Sequence, residues 1–169
     1  MVGRCRAGSA MFAPTEVAAR YAAVFMYDCA PANDLLLAAG IDPDSLRSLM
    51  PSVDPASVNV RVASPLFRRF WVKGIVAIAL PNGVFVQPGV MEQFRAGIEL
   101  DRWGRLIVHE LMHIEQWHRL GAFRHVSQYS GDYLRNRLRG QGHWGAYRGI
   151  RLEEEAREAA ASIRRGPRT

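Results

Sequence analysis

The residues of this chain best suited to chemistry lie together in the run His109-Glu110-Leu111-Met112-His113. In an α-helix, positions four residues apart lie one above the other, so both imidazoles can reach a single metal ion. Glu110 lies about 100° round the helix from His109, where its carboxylate can approach a water without becoming a ligand. This spacing is typical of a catalytic zinc site with the glutamate as general base.

A catalytic zinc usually has three protein ligands and keeps a fourth position for water, so the two histidines need a partner. The metzincin pattern would place Gly at position 116 and His at position 119, but this chain has Gln116 and Arg119. His118 is one residue out of that register, and we interpret it as a surface histidine. A glutamate from a later helix is the more common third ligand, and the candidates are Glu153, Glu154 and Glu155, with Asp132 as a weaker alternative.

The hydrophobic pattern around the motif predicts a central helix over about 101–120, with Gly121 as its C-terminal cap. A basic amphipathic helix is predicted near 123–138, ended by Gly140. A loop containing three glycines should follow over 141–149, and a final helix over 152–163.

The upstream half is predicted to contain both helices and strands. Helices are expected over 14–27, over a short segment capped by Asn33 and ending at Gly40, and over 42–50. Strands are expected over 57–62 and, more ambiguously, over 67–72. The apolar runs 74–80 and 84–87 are separated by Pro81-Asn82-Gly83, which indicates a hairpin. The predicted fold class is α+β, with a small mixed sheet and its hairpin packed on the motif helix.

Length and composition indicate one globular domain. Hydrophobic residues make up 49% of the 169 residues and charged residues 22%, which is typical of a folded domain of this size. We expect a disordered N-terminus over 1–13, a domain over 14–163 and a disordered basic tail over 164–169. No apolar run reaches the roughly 18 residues of a membrane span, and no secretory signal is recognised. A cytoplasmic protein is expected, with export by a specialised system left open.

The net charge of +6 could attract nucleic acid, anionic lipid or an acidic polypeptide. Lys73 is the only lysine among the 22 basic residues, however, and alanine and glycine are abundant. A biased genome composition accounts for much of this pattern, so the charge alone does not favour nucleic-acid binding.

Three segments of the chain resemble a known family: His109 to Gly121, Tyr147-Arg148, and Leu152-Glu153-Glu154-Glu155-Ala156. They are similar to a short metallopeptidase domain, classed as a domain of unknown function and often encoded near extracellular contractile injection systems. Residues 54–62 and 75–86 are similar to the strand and hairpin of that domain, so the resemblance covers roughly 45–160. One departure is Ala77-Ile78-Ala79, where many relatives carry a threonine.

The resemblance implies a zincin of the gluzincin type, in which the glutamate of a Leu-Glu-x-x-Ala segment is the third zinc ligand. Carried onto this chain, that residue is Glu153, and the C-terminal helix supplies it. Glu154 and Glu155 would then be surface charges. Tyr147 would direct its hydroxyl at the developing oxyanion, as a tyrosine does in some gluzincins, or would only pack the loop.

Two further side chains have alternative interpretations. Gln116 is seven residues after His109 on the same helical face, so it either supports a ligand through a hydrogen bond or lies at the surface. His143, in the predicted loop over 141–149, is interpreted as a loop histidine rather than a catalytic group.

The expected function is hydrolysis of peptide bonds in a peptide or protein substrate. Zinc held by His109, His113 and Glu153 would polarise a water and the substrate carbonyl, and Glu110 would accept the proton of the water. One alternative is a module that keeps zinc for stability alone, as a structural part or cargo of a secretion-like particle. Another is a nucleic-acid-binding protein that uses the arginine-rich helix near Arg135, Arg137 and Arg139.

Overall fold

The computed structural model describes residues 28–163 of the chain. The helix expected over 14–27 and the disorder expected over 1–13 and 164–169 lie outside the described residues. Described elements follow in the order β1 (Cys29–Pro31), α1 (Ala32–Ala38), a 3-10 helix (Pro43–Leu46), β2 (Asn59–Val62), α2 (Pro65–Arg68), β3 (Ala77–Leu80), β4 (Gly83–Val86), α3 (Pro88–Arg95), α4 (Leu100–Leu138), α5 (His143–Arg148) and α6 (Arg151–Ser162). The predicted α+β class is confirmed.

The four strands form one small mixed sheet in the order β1-β2-β4-β3. β2 runs parallel to β4, while β1 and β3 are antiparallel to their neighbours. The predicted hairpin is confirmed as β3 and β4, with Leu80 paired to Gly83 across the turn. A Cβ on Gly83 would lie 2.7 Å from the carbonyl oxygen of Asn59, so the close approach of β2 requires glycine there. β3 is left at the edge of the sheet.

The first part of α4, residues 100–120, packs beneath this sheet as the predicted central helix. Its apolar side is fully buried among the strand residues Val60, Val84 and Val86, and the helix contributes Ile107, Val108, Leu111 and Ile114. The second part corresponds to the predicted basic helix. Both are joined at Gly121, whose φ of 72° and ψ of 162° are not helical.

The prediction of a strand over 67–72 is wrong. Residues 65–68 form helix α2 instead, because Ser64 caps its N-terminus, accepting a hydrogen bond from the backbone N–H of Phe67, and Pro65 occupies the first helical turn. Ser64-Pro65 was the local signal for a helix start, and it outweighs the aromatic content of the segment.

The prediction of a loop over 141–149 is also wrong, because α5 lies within it. Ala146 is fully buried, and its carbonyl accepts a hydrogen bond from the side chain of Asn136 on α4. This tertiary contact stabilises a helix that the glycines would not favour in isolation.

Smaller corrections concern the N-terminal elements. Asn33 does not cap α1, because the helix begins at Ala32 and Pro31 occupies the cap position. The helix expected over 42–50 is only a short 3-10 turn, with Asp42 as its cap. β1 and α3 were not predicted. Among helices formed by residues 28–163, none has the length and apolarity needed to cross a membrane.

Candidate metal centre

The structure brings His109, His113 and Glu153 together beneath the β3 edge. His109 and His113 lie on α4 with their Nε2 atoms 3.2 Å apart. Glu153, in the first turn of α6, places Oε2 3.3 Å from Nε2 of His109 and Oε1 3.5 Å from Nε2 of His113. One ligand atom from each of the three side chains lies within 4.8 Å of the others, so the group could hold a metal ion, and we call His109, His113 and Glu153 the ligand triangle.

The spacing of the three side chains is compatible with a tetrahedral zinc site. Ligand atoms about 2.0–2.1 Å from the ion at tetrahedral angles lie about 3.3 Å from one another. The shortest contacts between the three side chains are 3.2, 3.3 and 3.5 Å, the last two to different oxygens of Glu153. Oε2 of Glu153 is buried, and no group within residues 28–163 forms a hydrogen bond with it. A buried carboxylate oxygen without a donor is costly, and a cation at this position would satisfy it. The residues present therefore fit a metal ion.

Gln116 holds His113 in the orientation that a ligand needs. Its side-chain amide donates to the carbonyl of Leu152 and to Oε2 of Glu155, each at 2.9 Å, which leaves Oε1 as the acceptor for Nδ1 of His113 at 2.8 Å. With the proton on Nδ1, the lone pair on Nε2 faces Glu153. Gln116 is fully buried, so of its two interpretations the structure favours support of a ligand.

Glu155 differs from the sequence-based expectation of a surface charge. Both of its carboxylate oxygens accept from the guanidinium of Arg119 at 2.8 Å, and one also accepts from Gln116. Arg119 lowers the pKa of this carboxyl, although partial burial acts in the opposite direction. Through its hydrogen bond with Gln116, Glu155 therefore helps to orient His113. Glu154, in contrast, is exposed.

Glu110 and Glu153 lie close together but have opposite electrostatic environments. Burial raises the pKa of Glu110, and the two neighbouring histidines offset this only in part. Burial also acts to raise the pKa of Glu153, but the adjacent imidazoles of His109 and His113 lower it well below its usual range. Glu153 is thus held charged, as a metal ligand needs to be, while Glu110 has increased basicity. The backbone N–H of Ala79 on β3 also hydrogen-bonds to Glu110.

Two tyrosines lie beside the ligand triangle. The Tyr129 hydroxyl donates to Oε1 of Glu153 at 3.0 Å, and Tyr147 lines the same cavity. Burial raises the pKa of both hydroxyls, and the charge of Glu153 raises them further. Both therefore remain protonated and able to donate. Tyr147 was predicted from the sequence, but Tyr129 was missed.

His125 is a second residue missed by sequence reasoning. Its ring stacks on Trp117 with centroids 4.0 Å apart and an interplanar angle of 18°. Burial lowers the pKa of His125 to about 4, with a smaller contribution from His113. His125 and Tyr129 are one helical turn apart, and this spacing could have predicted that both lie on the same inward face of the helix.

The remaining candidates lie away from the triangle. His118 is exposed, with Nδ1 3.2 Å from the carbonyl oxygen of Ser52, as a surface histidine should be. The exposed His143 lies with Nδ1 2.9 Å from the hydroxyl of Tyr133. Asp132 is buried but accepts hydrogen bonds from Arg135 and Arg151. Asp132 is therefore part of an ion-pair network and does not join His109 and His113 in the candidate metal centre.

A cavity of about 300 Å³ opens beside the triangle. Its walls are mostly apolar, with β3 on one side and the second part of α4 on the other. The residues that line it beyond the triangle include Ile75, Ile78, Leu80, Glu110, Trp117, Val126 and Tyr147. An apolar cavity with a few convergent polar groups is the usual form of a small-ligand or substrate site.

The chain matches no protein-family model, no curated protein and no solved structure. The family resemblance stated from the sequence therefore stays a prediction.

Proposed function

We propose that this protein is a zinc-dependent peptidase with a zincin-like, gluzincin-type site. The observation that carries the proposal is the triangle of His109, His113 and Glu153 with the buried Glu110 beside it. Two imidazoles and one carboxylate are a common ligand set of catalytic zinc. A zinc ion held there would supply Lewis acidity that polarises a water and a substrate carbonyl.

The side chains around the triangle have distinct roles in this proposal. Glu110 accepts the proton of the attacking water and passes it to the leaving amine, for which a raised pKa is an advantage. The N–H of Ala79 keeps the carboxylate oriented. Tyr147, protonated and lining the cavity, donates to the oxygen on which negative charge develops.

The edge strand offers a means of holding an extended substrate. Among the strands of residues 28–163, β3 pairs with β4 alone, and all four residues of β3 line the cavity. A peptide can add to such an edge by backbone hydrogen bonds, which places its carbonyl groups along the cleft whatever its side chains are. This arrangement favours a polypeptide substrate over a small molecule.

The two alternatives are less well supported. A module that keeps zinc only for stability, including a cargo of a secretion-like particle, has no use for a buried Glu110 beside an open cavity. For nucleic-acid binding, Arg135 is paired with Asp132 and Arg137 donates to the carbonyl of Gln141, so both make contacts within the protein. A salt-dependent mobility shift of duplex DNA would be needed to support that alternative.

Glu110→Gln tests the proposal directly. The zinc-loaded variant should retain about one zinc per chain, because Glu110 is not a ligand, while peptide hydrolysis falls by about 10²- to 10⁴-fold. Metal content is measured by elemental analysis and turnover with a mixture of quenched fluorescent peptides.

Glu115→Gln is the matched control for this experiment. Glu115 is a buried glutamate on the same helix, but it accepts from the backbone of Ser52 and does not line the cavity. The amide can still accept that bond, so turnover should persist. Simultaneous loss of zinc and activity in Glu110→Gln would show that Glu110 has a different role, and an inactive zinc-loaded wild type would reject the peptidase.

A further inference from the structure

The cleft extends to both sides of Glu110, and the two sides differ in chemistry. Beyond the apolar cavity there is a second groove of about 540 Å³. Both are lined by Ile75, Ala77, His109, Glu110 and Tyr147. A peptide spanning Glu110 would contact one side with each of its halves, so the residues further out on each side determine which side chains that half can carry.

The first side is suited to an apolar side chain. It extends from Glu110 towards Trp117 and Val126 on α4, and β3 contributes Ile78 and Leu80. Burying a large aliphatic or aromatic group there removes apolar surface of both partners from water. The stacking of Trp117 on His125 fixes this wall, so the space is formed before a ligand enters.

The second side is cationic. It is lined by Arg102, Arg105 and Arg157, and in the described part of the chain Glu110 is the one acidic residue that lines it. Arg102 is paired with Glu99 at 2.9 Å, and Arg105 lies 3.8 Å from Asp101. Arg157 donates to the carbonyl of Arg148. Within residues 28–163, no carboxylate forms an ion pair with Arg157.

We propose that the substrate is a polypeptide with a large apolar side chain on the Trp117 side of the cleaved bond and a carboxylate on the Arg157 side. This inference rests on the proposed peptidase function and adds the substrate class. The planar guanidinium of Arg157 offers donors matched to a carboxylate, and Arg105 adds positive charge to the same groove. The carboxylate is either an Asp or Glu side chain or the C-terminus of the substrate.

Binding to the zinc-loaded Glu110→Gln protein tests the inference separately from turnover. The probes are fluorescent peptides, blocked at both ends, that carry Leu and Glu on opposite sides of a central Ala-Ala bond in either order. Matched peptides carry Gln instead of Glu. We expect at least one order to bind about tenfold or more tightly with Glu than with Gln, as a charge-assisted hydrogen bond would give. The preference should shrink at high salt.

Arg157→Gln should reduce the Glu-to-Gln binding ratio to near one. Arg47→Gln is the matched control, because Arg47 is exposed, pairs with Asp44 and does not line the groove. It should leave the ratio unchanged. Peptides without the internal Glu but with a free C-terminus distinguish the two sources of the carboxylate. Tight binding of these peptides identifies the C-terminus as the source, and weak binding identifies the side chain.

The outcomes separate this inference from the proposed function. Equal binding of the Glu and Gln peptides in both orders, together with weak binding of the peptides with a free C-terminus, would overturn the substrate class even if the wild type cleaves peptides. A preference for the carboxylate that Arg157→Gln does not change would also overturn it. Conversely, selective binding without cleavage by the zinc-loaded wild type would reject the peptidase and retain the recognition of an acidic, apolar peptide.

Discussion

At the scale of single residues, Glu153 has the contact on which the candidate metal centre depends. Three adjacent glutamates were chemically equivalent in the sequence, but helical geometry separates them by about 100° each. Glu153 faces the two histidines, Glu154 faces solvent, and Glu155 turns to Arg119 and Gln116. Consecutive glutamates therefore have three different environments.

Replacing Glu153 should weaken the metal site selectively. Glu153→Ala removes one of three ligands, and we expect zinc affinity to fall by at least about tenfold, or roughly 1.4 kcal/mol. Glu154→Ala is the matched control on the same turn and should leave affinity nearly unchanged. Competition with a chelating dye measures both. Release of zinc by Glu154→Ala alone would mean that the inward face of α6 is misassigned by one residue.

The two tyrosines should have separable effects. Tyr129→Phe removes the hydrogen bond to Glu153, so zinc affinity should fall by about 10- to 100-fold, as for other groups that orient a ligand. Tyr147→Phe should mainly lower kcat, by about 10²- to 10³-fold, because an oxyanion donor acts in the transition state. Chelator competition and steady-state kinetics on both variants make the comparison. If Tyr129→Phe lowered kcat alone, Tyr129 would be the oxyanion donor.

At the scale of elements, the bend at Gly121 assembles the site. In a straight helix, eight residues span about 12 Å, so Trp117 and His125 could not stack at 4.0 Å. The bend turns the second part of α4 back over the cleft, and Tyr129 then reaches the same carboxylate as His113. The φ and ψ of Gly121 lie in a region that is essentially restricted to glycine.

Gly121→Ala should therefore destabilise the protein by about 1–3 kcal/mol through backbone strain, since a Cβ there would meet no atom of residues 28–163 within 4 Å. Gly131→Ala is the matched control: it lies in the same helix, has equal space and does not have a positive φ. That change should stabilise by about 0.5–1 kcal/mol. Urea unfolding of both variants gives the comparison. Equal effects would show that the bend at Gly121 does not require glycine.

The sequence predicted the elements with strong local signals and missed those formed by tertiary contacts. The 3.6-residue pattern identified α4 and α6, and the Pro81-Asn82-Gly83 turn identified the hairpin. α5 was missed because burial of Ala146 against Asn136 stabilises it. Tyr129 was missed because its contact with Glu153 depends on the bend at Gly121. Interpreting Gly121 as a C-terminal cap does not predict the direction in which the chain continues.

At the scale of the whole molecule, the candidate ligand set joins parts of the chain that are far apart in sequence. His113 and Glu153 lie on α4 and α6, and the second part of α4 and α5 lie between them along the chain. α6 packs against α4, and its residues Leu152, Ala156 and Ala159 are buried. A metal ion bound by both helices needs the folded arrangement, because unfolded chains do not preform such a site. Zinc binding and folding are therefore expected to be coupled.

This coupling predicts that zinc raises the thermal stability of the full chain. With free zinc about 100-fold above the dissociation constant, the free energy of unfolding should increase by about 2.7 kcal/mol, which corresponds to a rise in Tm of roughly 5–10 °C for a chain of this size. Differential scanning calorimetry with zinc, and after EDTA treatment, measures the change. The variant with both His109→Ala and His113→Ala should show almost no response to zinc. An equal rise in that variant would locate the stabilising metal elsewhere in the protein and contradict the assignment of the ligand triangle.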